Sequence, residues 1–486
     1  MSVTHQRSSF SKHNYHANFI IMQFPSPHEH ILPNDITCIS SPPLPDQFNV
    51  KDRIRGSMLG LATGDALGAS VEFMPHQQLL AHPVSGMQSG GTWGLKAGQW
   101  TDDTSMALCL ASSLITTRIF DPYNQMVRYK WWYKYGFLSS TGHCFDIGKA
   151  TRNALNIFSQ RQKILQQAFG LHNEIQVDSL SFKDVRKVYA FDVNCSGPDV
   201  AGNGPLMRLA SVPLYYFRNP ALAVELSGQS ARLTHGSEKA IDACRYYAAL
   251  IVAALRGESK EQLVSQQFYH NHRAWFGAKD LCTEVLYIAL GSYKKPGGYE
   301  MGIRGSGYII KSLEAALWAF WSDGNSFRNG VLAAVNLGDD TDTTAAIYGQ
   351  LAGAYYGAES ILPKWLKQLY AKDLIICISD WLYYFGQQSH STVHKKKNMY
   401  YHVPTQLHKK YSNPAIRMHR GMFQSVVPRR VHKAKNYDSY LRDHLPNPQM
   451  WASSQAHIRP QYQQIAANHL VPYSEIFQQP FYSGQR

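Results

Sequence analysis

The segment Gly338-Asp339-Asp340-Thr341-Asp342-Thr343-Thr344-Ala345-Ala346-Ile347-Tyr348-Gly349-Gln350-Leu351-Ala352-Gly353-Ala354-Tyr355-Tyr356 decides the fold class. Its first seven residues are acidic and hydroxyl-bearing, a helix-start composition. The rest is Ala, Gly and aromatic residues, which fits a strand poorly and predicts a helix over 342–356. Working outward, the same composition and apolar spacing predict helices over 312–321 and 327–337, then over 240–255, 221–233 and 105–117. Ala315-Ala316, Ala333-Ala334 and Ala345-Ala346 suit close helix–helix contact, and alternating β-branched runs are nearly absent. The body reads as mostly α. Residues 160–195 are less periodic and read as a loop excursion on one side of the core.

The termini differ from this body. The 486 residues carry a formal charge of +14, but residues 391–486 alone hold 14 Lys+Arg against 3 Asp+Glu, an excess of +11. Residues 1–48 are Ser-, His- and Pro-rich and end in Ser41-Pro42-Pro43-Leu44-Pro45, a linker composition. The expected division is a disordered extension over 1–48, one catalytic domain over 49–384 and a basic, disordered tail over 385–486. The tail, with Lys395-Lys396-Lys397 and Arg429-Arg430, suits contact with a polyanion or a nuclear address. Seven scattered cysteines without a CxxC pair argue against a zinc ribbon or a dense disulfide framework. No apolar run reaches the roughly 18 to 20 residues that span a bilayer. The expectation is a monomeric, intracellular protein, cytoplasmic or nuclear, without a membrane partner.

Two acidic clusters some 240 residues apart carry the chemistry. Trp100-Thr101-Asp102-Asp103-Thr104-Ser105 and Gly338–Thr344 each stand directly before a helix. Capping alone explains one Asp or Thr at a helix start. Several carboxylates packed together repel unless a cation neutralises them, and Asp and Thr oxygens are the ligand set of Mg²⁺ or Mn²⁺. Glycine-rich turns are read at Gly60–Gly68, leading to Glu72, and at Gly202-Asn203-Gly204-Pro205, where backbone N–H groups can approach phosphate or sugar. Neither has GxGxxG spacing or a Walker lysine, which excludes a dinucleotide fold and an NTPase. His235 stands where a helix pattern breaks; a lone His is more often structural than catalytic.

In this order, the segments resemble the ADP-ribosylglycohydrolases: Arg55–Gly60, Gly64–Gly68 with Val71-Glu72-Phe73, Gly98–Met106, Gly202-Asn203-Gly204, Thr234-His235, Ser312–Leu317, Gly338–Thr344 and Gly349–Ala354. The resemblance spans residues 51–369. It implies an all-α fold, a compact single-domain orthogonal helical bundle, with two Mg²⁺ or Mn²⁺ ions, held by Thr101, Asp102 and Asp103 and by Asp340, Asp342 and Thr343. Asp339 stands where many members have Gly. The implied catalytic carboxylate is Glu72, with Asp103 and Asp146 as alternatives, Asp146 resembling a substrate-contacting aspartate of the bacterial branch. Gly202, Asn203, Gly204 and His235 resemble diphosphate and ribose contacts, and Tyr308 an adenosine-stacking residue. Pro205, where a small residue is common, removes one phosphate donor.

The implied reaction is metal-dependent hydrolysis at C1″ of an ADP-ribosyl group on a protein or small conjugate, with a mild preference for an N-linked arginine. A terpenoid synthase, which clamps diphosphate with DDxxD, is the first alternative, but neither cluster has an aspartate at +4. A non-catalytic ADP-ribose reader on the same scaffold is the second.

Overall fold

Glycine at every fourth position from Gly56 to Gly68 puts four residues without side chains on one face of a helix. A computed structural model, which describes residues 22–37, 42 and 48–393, shows what that face is for. Residues Phe48–Gly68 form a single helix, α1. The other long helices are α2 (Asp102–Thr117), α3 (Pro122–Tyr135), α4 (Lys149–Phe169), α5 (Pro220–Arg232), α6 (Glu238–Leu255), α7 (Ile309–Ser322), α8 (Phe327–Val335), α9 (Thr341–Tyr356) and α10 (Lys372–Val393). Among the described residues there is no β-strand, only two isolated bridges. The all-α reading holds, and each predicted helix is found within a turn of its expected ends. No helix among the described residues is long and apolar enough to cross a membrane.

Gly60–Gly68, read above as a turn, is instead the C-terminal half of α1. Both uses exploit the missing side chain, so composition alone does not separate them. A Cβ on Gly56 would sit 2.3 Å from the Gly353 carbonyl oxygen, and one on Gly60 would sit 2.4 Å from that of Gly349. On Gly64 it would sit 2.2 Å from the Ala345 oxygen, and on Gly68 2.4 Å from the Asp342 Cα. The pairing runs in opposite directions along the two chains, so α1 and α9 pack antiparallel, backbone against backbone. Each glycine costs about 1 kcal/mol of helix propensity relative to alanine. The return is positional: Gly68 lies directly against Asp342, bringing the end of α1 to the start of α9.

Around this pair the core is aliphatic and aromatic. α6 is buried on every side from Ala240 to Leu255, the sign of a central helix. α4 buries only one stripe (Ala154, Leu155, Phe158, Gln162, Leu165). It absorbs the first part of the segment read as a loop; the remainder holds the short helices Glu174–Asp178 and Phe182–Val185. That excursion is pinned by Asp178, which accepts from buried Lys130, from Trp131 Nε1 at 2.8 Å and from Gln162 Nε2 at 2.8 Å.

Residues 22–37, inside the stretch expected to be a disordered extension, lie on the body. Met22, Pro27 and Pro33 are buried, and a capping box closes the turn between Ser26 and Glu29. The imidazole of His28 meets Tyr135 edge-on at 4.6 Å. A few prolines and apolar side chains suffice to dock an otherwise polar segment. Cys377 of α10 is disulfide-bonded, and the other described cysteines are free; the scatter of cysteines gave no sign of that bond. The basic tracts of the tail lie outside the described residues.

Candidate active site

The starts of α2 and α9 meet at the end of α1, so two helix dipoles point their positive ends at one place. The acidic clusters face one another and are cross-bonded. Thr101 Oγ1 donates to Asp342 Oδ2 at 3.2 Å, and Thr343 Oγ1 donates to Asp103 Oδ1 at 3.1 Å. All four residues are buried.

Thr101, the N-cap of α2, provides no side-chain cap of its own. That work falls to Asp65 of α1, which accepts from Thr101 N at 2.9 Å, Thr104 N at 3.0 Å and Thr104 Oγ1 at 2.6 Å. Relieved of capping α2, Asp102 and Asp103 are free for other work. Asp65, Asp103 and Asp342 each offer an oxygen within 4.8 Å of the others, and so do Glu72, Asp340 and Asp342. Asp103 Oδ2 and Asp342 Oδ1 are buried with no hydrogen-bond partner among the described residues. Such orphaned oxygens cost stability unless something neutralises them. Hard oxygen donors, buried and partly unpartnered, fit a divalent cation, and these acidic groups could hold a metal ion.

The electrostatics agree. Burial first, then the charges of their neighbours, hold Asp102, Asp103 and Asp342 well above the usual carboxylate range. Asp340 is also raised by burial, against the pull of Asn203. Glu72 is pushed up to about 9 by burial and by the charges of Asp146 and Asp340. Asp146 is likewise raised to about 9 by burial and by Asp102 and Asp340, and accepts a hydrogen bond from Glu72. Glu72 is also held by Trp93, whose Nε1 donates to Oε2 at 3.0 Å.

The residues after Glu72 tie it to the second cluster through their backbone. Phe73 N donates to Asp339 O at 2.7 Å, and Asp339 N donates to Met74 O at 3.0 Å. Asp339 sits at φ 62°, where glycine is at ease and aspartate is among the few tolerated alternatives.

Gly202-Asn203-Gly204 lies on the other side. Gly202 bridges Tyr308, and Asn203 N donates to Gly307 O at 3.0 Å. The Asn203 carboxamide donates to Asp340 Oδ2 at 2.7 Å and to Ser312 Oγ at 3.1 Å, so its N–H groups are engaged within the protein. It braces the glycine segment against the acidic cluster. Pro205 sits in the first turn of the short helix Gly204–Met207, where its missing N–H is tolerated. The buried His235 ring closes the segment from below: a Cβ on Gly202 or Gly204 would come within 3.1 or 3.0 Å of it. Tyr308 is 37% exposed, with its ring under Lys239 Nζ at 5.9 Å.

The structure thus brings Thr101, Asp102, Asp103, Asp340, Asp342, Thr343, Glu72 and Asp146 into one acidic site, with Gly202, Asn203, Gly204 and His235 at its border. Tyr308 belongs through its backbone, while its ring faces outward. Sequence reasoning assigned no role to Asp65, Trp93 or Thr234. Asp65 and Thr234 lay within segments that carried the resemblance, Asp65 also as a carboxylate in the otherwise uncharged second half of α1, while Trp93 carried no signal.

The family model for ADP-ribosylglycohydrolase matches residues 46–391. The ADP-ribosylarginine hydrolase Tri1 of Pseudomonas putida is 37% identical over 323 residues, covering 65% of this chain and 74% of that protein. Tri1 of Serratia proteamaculans is 33% identical over 352 residues, covering 72% and 84%. A solved structure, an ADP-ribosylglycohydrolase-related protein complex, superposes with a TM-score of 0.54 at 37% identity, covering 70% of this chain and 99% of its own. Membership leaves no place for the terpenoid-synthase alternative. A match over most of the chain shows that this protein belongs to the ADP-ribosylglycohydrolase family, as an enzyme of the glycohydrolase class.

Proposed function

We propose that the chain removes ADP-ribose from arginine side chains in a reaction that requires Mg²⁺ or Mn²⁺. The observation that carries this reading is the reciprocal bonding of two acidic clusters, Thr101 to Asp342 and Thr343 to Asp103, across some 240 residues of sequence, with two buried carboxylate oxygens left unpartnered. The two Tri1 relatives, both ADP-ribosylarginine hydrolases, support the arginine acceptor.

Thr101, Asp102, Asp103, Asp340, Asp342 and Thr343 would hold two divalent ions, with Asp65 behind them. Bound there, the ions supply positive charge and Lewis acidity toward the hydroxyls of the distal ribose and a water. The protein's own residues do the rest. The Gly202–Gly204 segment and His235 seat the diphosphate and its adjoining ribose, fixing C1″ beside Glu72. Hydrolysis breaks the C1″–N bond, places the water's hydroxyl on C1″ and sends the water's proton to the leaving guanidine. Glu72 carries that proton; its hydrogen bonds with Asp146 and Trp93 hold the carboxyl for the transfer. Asp146, beside Glu72, offers a carboxylate to the guanidine group. Tyr308, exposed at the edge, offers a face to the adenine.

The test is a side-by-side panel: an arginine-ADP-ribosylated protein, a serine-linked peptide and poly(ADP-ribose), each with Mg²⁺, Mn²⁺ or a chelator. Release from arginine that stops with chelator, and a loss of bound metal in Asp340→Ala, are expected. Undiminished release from arginine under both conditions would remove the metal assignment. Release from serine alone would replace the acceptor.

A further inference from the structure

Arg208 is fully buried and, among the described residues, has no carboxylate partner, an expensive place for a guanidinium. Its Nη2 donates to Thr234 Oγ1 at 2.6 Å, and its charge lies over the Tyr129 ring at 4.4 Å. The Thr234 hydroxyl in turn lies 2.8 Å from His235 Nδ1. Arginine has no lone pair to offer, so Thr234 must accept from it. The threonine proton is then free, and the nearest acceptor is His235 Nδ1. A proton on Nδ1 would leave the buried hydroxyl hydrogen without an acceptor. A doubly protonated ring would set a second positive charge beside Arg208 in the same dry environment. Burial and Arg208 accordingly push His235 down to about 3.

We propose that Arg208 and Thr234 are positioning residues that lock His235 as a neutral imidazole bearing its proton on Nε2, a fixed donor facing the Gly202–Gly204 segment. That edge is the one within reach: Nε2 lies 3.1 Å from the ideal Cβ position of Gly202 and 3.4 Å from that of Gly204. His235 then acts as a hydrogen-bond donor to an acceptor oxygen across the working pH range and takes no part in proton transfer. That the acceptor is an oxygen of ADP-ribose rests on the functional reading above; the tautomer does not.

The test is ¹⁵N NMR of the full-length protein labelled at histidine, with the His235 signals assigned by their absence in His235→Gln. Two ring nitrogens in the Nε2–H pattern, unchanged between pH 5.5 and 8, are the expected result. An Nδ1–H pattern, or a transition to imidazolium in that window, overturns the proposal. Thr234→Val removes the hydroxyl and should release the tautomer, weakening ADP-ribose binding on the order of tenfold or more. Thr234→Ser should restore both. An unchanged tautomer in Thr234→Val excludes Thr234 as its cause. A released tautomer with unchanged ADP-ribose affinity would instead refute His235 as a substrate contact while leaving the lock in place.

Discussion

Gly349→Ala isolates the packing that assembles the site. In an exposed helix this change stabilises by about 1 kcal/mol. Here a Cβ on Gly349 would lie 2.0 Å from the Gly60 carbonyl oxygen and 2.4 Å from its carbon. Ordinary contact begins near 3.4 Å, so α1 and α9 must separate by about 1.4 Å, and the obstacle is backbone that cannot rotate aside. Overpacking costs typically 1 to 3 kcal/mol, and a rigid obstacle puts the cost at or above the upper end. After the propensity gain, a net loss of about 2 to 3 kcal/mol is expected. For a body of about 350 residues, with an unfolding entropy near 0.7 kcal/mol/K, that lowers Tm by about 3 to 4 °C. Asp342 begins two turns away on the same helix, so separation also moves it from Thr101 and Asp103. Thermal unfolding with and without Mn²⁺ reads both effects: a lower Tm, and a smaller stabilisation by the metal. A Gly349→Ala protein as stable as the parent, with full Mn²⁺ stabilisation, would refute the claim that this contact sets the register of the site.

Other consequences follow from the same geometry. Without metal, Asp65, Glu72 and Asp146 have folded-state affinities of about 6, 9 and 9, against unfolded values near 4. Between those limits the folded chain holds more protons than the unfolded one, so stability falls as pH rises. Melting in chelator should therefore occur at a lower temperature at pH 8 than at pH 5, and Mn²⁺ should stabilise more at pH 8; a chelated protein that gains stability from pH 5 to 8 contradicts this. Asp65→Ala strands two backbone N–H groups and a hydroxyl at the start of α2, and should cost about 3 kcal/mol in a denaturant titration. Trp93→Phe keeps an aromatic ring and removes the donor to Glu72. It should lower kcat roughly tenfold with little change in KM, and raise the pH at which Glu72 titrates, because the lost bond favoured its charged form.

The acidic residues were legible because each cluster exceeds what a helix start needs: three carboxylates around Thr341 and two after Thr101 stand out against apolar neighbours. Glu72 and the Gly202–Gly204 segment were legible through resemblance, which recognises order along the chain. Asp65 lay inside the resembling Gly64–Gly68, but its role was not legible, since one carboxylate in the otherwise uncharged second half of α1 has the same pattern whether it caps a distant helix or fills a polar pocket. Trp93 acts through one hydrogen bond to Glu72, and Thr234 links its neighbour His235 to Arg208, which only folding brings near; neither arrangement has a recognisable spacing. The glycines of α1 were misread because a turn and a close helix contact both require the absence of a Cβ.

Local composition determined the helices, their starts and the residue types at the site, because helix propensity and capping act over a few neighbouring residues. Tertiary structure alone decided that the two clusters face each other, that Asp65 frees the first of them from capping, and that without metal their carboxyls have raised proton affinity. Coulombic and desolvation energies depend on distance and burial, and both arise only when α1 and α9 close backbone to backbone.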